Sequence, residues 1–216
     1  MPRALAETDQ ADDVTGATER AVEMQHLVKL AYLRRVLGRG KAPAAAALTH
    51  ELVSRREPVV LFGHYTDVLD IYGHLLTRLR IPYTRIDGQT PNEARHAAVK
   101  AFQAGEVPVL VASSAAREGI TLHRAAHLIR LERDYVPAYE EQAEDRIRRI
   151  GQTRPTTVWY LHAEDTIDGR ISEIVDFKRT LVSDTIGLAN TPFSVEQRAY
   201  DAWRQIDALK DGVPSL

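Results

Sequence analysis

Apolar positions along the chain fall into two kinds of block. Runs of consecutive apolar residues, as at residues 59–62, are typical of strands that are buried on both faces. Apolar residues spaced three or four apart, as at residues 67–79, are typical of helices with one buried face. The same patterns predict strands at residues 81–86, 107–111, 126–131 and 156–161, and helices at residues 91–102 and 167–181. Alternating strands and helices with short connections predict a parallel sheet covered by helices on both faces.

The two ends of the chain show different patterns. The first 20 residues are polar, acidic and aperiodic, which indicates a loose leader. Helical spacing follows at residues 21–37, with Gly38 as a predicted end, and again at residues 43–55. After Gly187, a capping-box spacing that begins at Ser194 predicts a final helix. We therefore expect three parts: a leader at 1–20, an α/β lobe at 21–187 and a C-terminal helical extension at 188–216.

Composition narrows the classes of function. The chain has 216 residues, a net charge of −2 and no cysteine. Disulfides and thiolate metal sites are therefore excluded, and a reducing cytoplasmic setting is expected. No apolar run approaches the roughly 18 residues that a membrane span needs, so no membrane partner is expected. A net acidic chain has no overall basic surface for nucleic acid, so any such contact must be local.

One stretch, QAEDRIRRIGQ at residues 142–152, combines two stripes on a predicted helix. Gln142, Arg146 and Arg149 share one face, and Ala143, Ile147 and Ile150 share a face about one position later. An exposed helix with i,i+4 ion pairs, such as Glu144 with Arg148, would explain the charges alone. The choice between a solvated surface and a functional stripe depends on the other motifs.

Those motifs occur in a fixed order: VVLFGHYTDVLD, RIDGQT, VASSAAREGITL and LERDYVPAYEEQAEDRIRRIGQ. The series resembles the second RecA-like lobe of superfamily 2 helicases, specifically that of Swi/Snf-type DNA translocases. Its wording is closest to the annealing-helicase branch. The resemblance covers residues 23–187 and implies an α/β, RecA-like parallel sheet flanked by helices, with helical N- and C-terminal extensions.

The resemblance also implies a nucleotide-facing set of residues. The stripe at 142–152 matches motif VI, in which two arginines reach the γ-phosphate of ATP on the other lobe. By this resemblance Arg146 and Arg149 are catalytic, and Gln142, Glu118 and Gly119 lie at the nucleotide. The expected cofactor is ATP with Mg²⁺, shared with a partner lobe that makes most of the contacts.

A second implied set contacts DNA through its backbone, independently of sequence. His64 occupies the position of motif IV, Gly88 and Thr90 belong to the RIDGQT loop, and Ser113 and Thr121 belong to motif V. For each of these residues taken singly, an ordinary role in a loop or cap remains an alternative.

Two other patterns only partly match known ligand-binding motifs. His123 and His127 are four apart, as zinc-binding histidines can be, but no third ligand completes the pattern, and we expect no metal site. The segment GRGK at residues 38–41 lacks the first glycine and the final Ser or Thr of a phosphate loop.

The sequence contains no G-x-x-x-x-G-K-[ST] phosphate loop and no DE-x-[HD] motif, which the first lobe of such motors supplies. Two hypotheses follow. In the first, the chain is the C-terminal half of a split ATP-dependent DNA helicase or translocase whose partner is a separate lobe-one polypeptide, and it does not hydrolyse ATP alone. In the second, it is a non-catalytic nucleic-acid-binding or regulatory module. The arginine pair favours the first hypothesis.

Overall fold

A computed structural model of the chain describes residues 3–113, 120–148 and 151–184. The side chains of residues 3–23, 26, 27 and 180–184 lie outside this description. The elements, in chain order, are α1 Arg3–Ser54, β1 Val59–Gly63, α2 Thr66–Arg78, β2 Tyr83–Ile86, α3 Asn92–Ala104, β3 Val109–Ser113, β4 His127–Arg130, α4 Pro137–Glu144, β5 Thr157–Tyr160 and α5 Ile167–Asp184.

The strands form one five-stranded sheet in the order β2-β3-β1-β4-β5. Every strand pairing in this sheet is parallel. The predicted parallel α/β sheet is therefore confirmed. Because all the strands run the same way, the loops that follow them meet at one edge, which we call the carboxyl edge.

Two apolar clusters cover the two faces of the sheet, and alternate strand residues enter each. Val59 and Leu61 of β1 pack with α1 and α2 in one cluster, whereas Val60 and Phe62 pack with α3, Ala143 and Ile147 in the other. The central strands are buried along their whole length on both faces. This double burial explains why they appear in the sequence as continuous apolar runs rather than as alternating ones.

The helix predicted at residues 91–102 is confirmed as α3, which spans Asn92–Ala104. Pro91 precedes the first helical residue, and Gly105 follows the last with a φ of 84°, a left-handed conformation that glycine adopts at little cost. None of the helices in the described part of the chain combines the length and the apolar character needed to span a bilayer.

Helix α1 corrects the prediction of two helices separated at Gly38. It is continuous through this segment and contains Pro43. One face remains buried on both sides of the predicted break, with Gly38, Lys41 and Ala45 following each other at helical spacing. Tertiary packing along that face thus outweighs the local preferences of glycine and proline. The predicted leader also lies within α1, which begins at Arg3.

Helix α4 corrects the prediction of a helix at residues 142–152. It spans Pro137–Glu144, and the next residues form tight turns. The amides of Ile147 and Arg148 both donate to the carbonyl of Glu144, each at 3.0 Å. A shared acceptor of this kind is common at helix ends, where the last turn tightens.

The chain divides into two compact units, and the larger, Arg34–Ala189, contains the sheet. Of the smaller unit, the structure describes only the helical residues 3–33. The predicted final helix after Ser194 lies outside the described residues. The division at 1–20, 21–187 and 188–216 therefore stays a prediction.

Candidate functional site

The carboxyl edge brings together the loops on which the sequence placed its candidate residues. His64 follows β1, Gly88 and Thr90 follow β2, and Ser113 ends β3. The loop between β4 and α4 completes this edge. Glu118, Gly119 and Arg149 lie outside the described residues, so the structure gives no position for them.

The His64 backbone is fixed by a buried carboxylate. Its N–H donates to Oε2 of Glu132 at 3.0 Å, and Glu132 is 2% exposed. Burial raises the pKa of Glu132, although the His64 hydrogen bond and the charges of Lys41 and Arg34 act to lower it. The other carboxylate oxygen, Oε1, has no hydrogen-bond partner within the described part of the chain. Glu132 was not among the candidate residues that the sequence indicated.

A second carboxylate lies near the His64 ring. Oδ2 of Asp134 is 3.7 Å from Nε2 of His64 and 3.2 Å from Nη2 of Arg130. Arg130 belongs to β4 and is 2% exposed, so its charge lies inside the protein beside that of Asp134. The loops after β1 and β4 are therefore joined by charged groups at the carboxyl edge.

Helix α1 also reaches this edge through two cationic side chains. Arg34 donates to the carbonyl of Arg133, and its guanidinium lies 4.5 Å from the ring centre of Tyr135. Burial raises the pKa of Tyr135 to about 12, against the opposing effect of the Arg34 charge. Lys41 Nζ lies 2.6 Å from Oδ2 of Asp168, at the start of α5. These contacts connect α1 to the loop between β4 and α4 and to the start of α5.

The loop with Gly88 and Thr90 is a closed turn. The Thr90 hydroxyl accepts from the Asp87 amide at 2.9 Å and donates to Oδ1 of Asp87 at 3.1 Å. Burial acts to raise the pKa of Asp87, but hydrogen bonds from Gln89, Thr90 and Arg85 lower it below its ordinary value. The Thr90 hydroxyl hydrogen is thus donated within the turn, and its structural role is clear from the geometry.

Ser113 and Thr121 flank residues 114–119, which lie outside the described residues. Ser113 is buried, and its hydroxyl has no hydrogen-bond partner among the residues that the structure describes. The carbonyl of Thr121 accepts from the side-chain amide of Gln103 on α3 at 3.1 Å. The loop that carries Thr121 is therefore attached to α3.

Arg146 lies in the turn that follows α4, and this turn replaces the predicted helical stripe. Ala143 and Ile147 are fully buried as the sequence predicted, whereas Gln142 and Arg146 are half-buried. The carbonyl of Arg146 accepts from the amide of Leu122 at 2.9 Å. Its side-chain Nε is buried and has no hydrogen-bond partner in the described ranges. The backbone of Arg146 is thus fixed, and among the residues that the structure describes this donor has no acceptor.

Gln152 closes the same turn, a role that its place in the sequence did not indicate. Its side-chain amide donates to the carbonyls of Ala125 and Ile147, at 2.8 and 3.1 Å. Its Oε1 accepts from the amide of Arg154 at 2.9 Å. Three contacts to backbone groups of separate segments indicate a structural role for this glutamine.

Two of the three charged side chains of α4, those of Glu140 and Glu144, are buried. The predicted i,i+4 pair of Glu144 and Arg148 is present, with Nη1 and Oε2 3.1 Å apart. Glu140 is fully buried, however, and both of its oxygens accept from Arg133, at 2.8 and 2.9 Å. The helical spacing that Glu140 and Glu144 share with buried Ala143 and Ile147 was the available signal for this burial.

The two candidate zinc histidines have other partners. Nδ1 of His127 accepts from the indole of Trp159 at 3.1 Å, and its Nε2 pairs with Glu57. Nδ1 of His123 is 3.0 Å from the Gln103 side chain. Within residues 3–113, 120–148 and 151–184, no three His, Cys, Asp or Glu side chains are grouped as a metal site would need.

A groove of about 550 Å³ runs along α3 beside the loop that carries Thr121. It is lined by Asn92, Arg95, His96, Val99, Lys100, Gln103, Ile120, Thr121 and His123, with no carboxylate among them. Nε of Arg95 is buried and lacks a hydrogen-bond partner in the described part of the chain. On a net acidic protein, this groove is a local cationic surface.

Comparison with known proteins identifies the family. The model of the helicase conserved C-terminal domain matches residues 43–151. The SWI/SNF-related matrix-associated actin-dependent regulator of chromatin subfamily A-like protein 1 of Drosophila melanogaster is 34% identical over 145 residues, which are 66% of this chain and 19% of that protein. The ATP-dependent helicase fft1 of Schizosaccharomyces pombe is 35% identical over 129 residues, which are 59% of this chain and 14% of that protein. The chain thus spans a fifth or less of the length of these relatives.

Two solved structures share the fold. The C-terminal part of the Fun30 ATPase domain has a TM-score of 0.62 at 24% identity and covers 78% of this chain and 54% of that chain. The Sulfolobus solfataricus SWI2/SNF2 ATPase core in complex with dsDNA has a TM-score of 0.68 at 21% identity and covers 87% of this chain and 41% of that chain. The resemblance to Swi/Snf-type proteins is confirmed. The chain belongs to the helicase conserved C-terminal domain family, in the form found in SWI/SNF-related helicases, and its sheet is the RecA-like C-terminal lobe of that form.

Proposed function

We propose that this lobe supplies Arg146 and Arg149 to ATP hydrolysis in a DNA translocase, where they meet the γ-phosphate of ATP bound to a first lobe. The observation that carries the proposal is the state of Arg146. Its backbone is fixed by the hydrogen bond from Leu122, whereas its buried Nε has no acceptor among the described residues. A buried and unused donor on a cationic group suits an anionic ligand.

The chemistry explains why arginine is suited to this position. In phosphoryl transfer the protein mainly positions groups and neutralises charge on the phosphate oxygens, and an arginine finger contributes about 10³–10⁵ in rate. Arginine stays charged at all working pH values and donates in a planar fork that matches phosphate. Gln142 lies one turn before Arg146 and would help to orient the nucleotide. By the family resemblance, Glu118 and Gly119 would also contact the nucleotide.

Most of the nucleotide contacts belong to the first lobe in this proposal. A phosphate loop with its lysine, and the acidic pair that binds Mg²⁺, are motifs that the printed sequence does not contain. A separate first-lobe polypeptide would supply them. We therefore expect no ATP hydrolysis by this chain alone.

The cytoplasmic setting expected from the absence of cysteine stays a prediction.

DNA contacts are proposed for the loops after β1, β2 and β3, through His64, Gly88, Thr90, Ser113 and Thr121. Two observations support backbone contact near this edge. The Sulfolobus solfataricus core, which has the same fold, was solved with double-stranded DNA, and the cationic groove begins at Asn92, directly after the loop with Gly88 and Thr90, and runs along α3 to Thr121. Contacts to phosphate carry no direct sequence information, so binding is expected to be independent of sequence.

ATP turnover in an assembled motor tests the arginine assignment. This chain is mixed with a first-lobe polypeptide of the same family, and DNA-stimulated phosphate release is measured. We expect Arg146→Ala and Arg149→Ala to lower kcat by about two decades or more while leaving DNA affinity unchanged, because each removes charge from the transition state. Arg170→Ala is the control, because Arg170 is exposed and pairs with the exposed Glu173 on α5, away from the contacts of α4. Parental turnover by either test variant would refute the assignment of that arginine.

The second candidate function is a nucleic-acid-binding or regulatory module without catalysis. The carboxylate-free groove along α3 favours it, because such a groove needs no nucleotide in order to bind phosphates. DNA binding by the lone chain, together with no turnover in the presence of any phosphate-loop partner, would support this function over the first.

A further inference from the structure

Two buried carboxylates lie one turn apart on the same side of α4. Glu140 is 0% exposed and Glu144 is 6% exposed. Like charges at this spacing repel each other, and burial of a carboxylate is costly unless it is paired. The position of α4 therefore depends on the cations that neutralise this pair.

Arg179 of α5 contacts both carboxylates. Its Nη2 lies 3.0 Å from Oε2 of Glu140, 2.9 Å from Oε1 of Glu144 and 2.8 Å from the Tyr160 hydroxyl. Burial acts to raise the pKa of Glu144, but the hydrogen bonds from Tyr160 and Arg179 lower it below its ordinary value. The Glu144 carboxylate is therefore maintained in its charged form by these two partners.

The neighbouring cations act on one carboxylate each. Arg133 pairs with Glu140 and with Asp176, and Arg148 pairs with Glu144. Among the described residues, Arg179 is the cation that bridges Glu140 and Glu144. Because it belongs to α5, it joins that helix to both turns of α4.

Arg146 follows Glu144 by two residues, so its position depends on where α4 ends. Its amide donates to the carbonyl of Ala143 at 3.2 Å, and its own carbonyl accepts from Leu122 at 2.9 Å. On one side α4 is fixed by Ala143 and Ile147 in the apolar cluster, and on the other by the two carboxylates. A shift of α4 would strain both backbone hydrogen bonds of Arg146.

We propose that Arg179 is a positioning residue for Arg146, which acts through the bridged carboxylates of Glu140 and Glu144. Contact with α5 thereby controls whether the turn after α4 is ordered for its ligand. The structural part of this inference concerns the isolated chain. Its consequence for turnover rests on the proposed function of Arg146.

Hydrogen exchange of single amides in the full chain, followed by NMR, tests the structural part. We expect Arg179→Met to lower the protection of the Leu122 and Arg146 amides at least tenfold more than that of the Val111 amide in β3. The control is Arg170→Met on the same helix, which removes an exposed pair with Glu173 and should leave all three amides unchanged. An equal loss at all three amides would show only global destabilisation and would overturn the proposal, as would unchanged protection at Leu122 and Arg146.

Two further variants separate positioning from simple loss of charge. Arg179→Lys keeps the charge on a shorter side chain, whose ammonium group cannot reach all three acceptors of Nη2 without a shift, so protection at Arg146 should fall between the parental and Arg179→Met values. Adding Glu144→Gln to Arg179→Met removes one of the two like charges that Arg179 bridges and should recover part of the protection. Failure of both variants to change protection relative to Arg179→Met would contradict the role of the bridge.

Turnover in the assembled motor then distinguishes this inference from the proposed function. With Arg179→Met we expect a tenfold or greater fall in kcat for ATP, while the DNA affinity and the KM for ATP stay near their parental values. If Arg146→Ala leaves turnover unchanged, the proposed function fails, yet the exchange result still decides the positioning role. If Arg146→Ala abolishes turnover and Arg179→Met does not lower it, the positioning role is refuted and the proposed function stands.

Discussion

Gly38 and Gly40 lie two residues apart in α1 and have opposite surroundings. A Cβ on Gly38 would lie 2.4 Å from Oε1 of Glu132 and 3.2 Å from a methyl group of Val68. A Cβ on Gly40 would meet no atom within 4 Å. The first glycine therefore permits close contact between α1 and the carboxyl edge, whereas the second has no packing reason to be glycine.

We expect the two substitutions to have opposite signs. Gly38→Ala should lower the free energy of unfolding by about 1–3 kcal/mol, because the added methyl group overpacks a buried contact. Gly40→Ala should raise it by about 0.5–1 kcal/mol, because alanine loses less backbone entropy in a helix. Urea unfolding of both variants checks this, and stabilisation by both would show that Glu132 can move away at no cost.

The raised pKa of Glu132 leads to a prediction about how the stability of the fold changes with pH. Because burial raises this pKa in the folded state, the folded chain binds the proton more tightly than the unfolded chain does. The ionised form therefore destabilises the fold at neutral pH, and stability is regained as the pH falls through the folded pKa towards the ordinary value of 4.5.

Glu132→Gln removes this titration, so the two proteins should diverge with pH. The free energy of unfolding of the parental chain, minus that of Glu132→Gln, should rise as the pH is lowered from neutral towards 4.5. Urea unfolding at several pH values measures this difference, in which contributions common to both proteins cancel. A constant difference would show that the Glu132 carboxyl has an ordinary pKa.

Among the elements, α3 and α1 show which boundaries the sequence can predict. The limits of α3 depend on Pro91 and Gly105, whose backbone preferences are local, so the sequence predicts them. The continuity of α1 depends on Gly38 and Lys41 contacting residues far away in the chain. Local patterns predict a break there, because they contain no information about those contacts.

The Lys41–Asp168 pair allows a direct test of this long-range contact. Both side chains are buried, so Lys41→Met should lower the free energy of unfolding by about 3–5 kcal/mol by leaving a buried charge unpaired. Arg170→Met breaks an exposed pair on α5 and should cost about 1 kcal/mol or less. Thermal and urea unfolding measure both. A cost for Lys41→Met that matches the exposed control would mean that water reaches Asp168.

For the whole molecule, the sequence predicts where the candidate site lies, but it does not predict which of the charged side chains around it are buried and paired. Parallel strands bring their following loops to one edge, so His64, Gly88 and Ser113 were expected to converge there. The burial of Glu140 and its contact with Arg133 were not predicted, because a solvated helix and a functional stripe were the two interpretations considered for these charges. Which charges are buried depends on the packing of α4 against α5 and β5.

Net charge and its distribution lead to a prediction about DNA. The chain carries a net charge of −2, so its affinity for DNA should be weak and should arise at local cationic surfaces such as the groove along α3. Each phosphate contact contributes about 0.9 to the slope of log affinity against log salt concentration on duplex DNA. Binding should therefore fall steeply between about 50 and 200 mM salt, with little preference among base sequences.

Paired charge removals locate the DNA contact. Replacing Arg95 and Lys100 by glutamine should reduce the salt slope by about two, because both side chains line the groove. The matched control replaces Arg78 and Arg80 by glutamine, because these arginines lie at and after the end of α2 and neither lines the groove. It removes the same charge and should leave the slope unchanged. Fluorescence anisotropy with duplexes of unrelated sequence measures both slopes. Equal changes in the two slopes would mean that net charge alone attracts DNA, and a strong preference for one duplex would contradict backbone recognition.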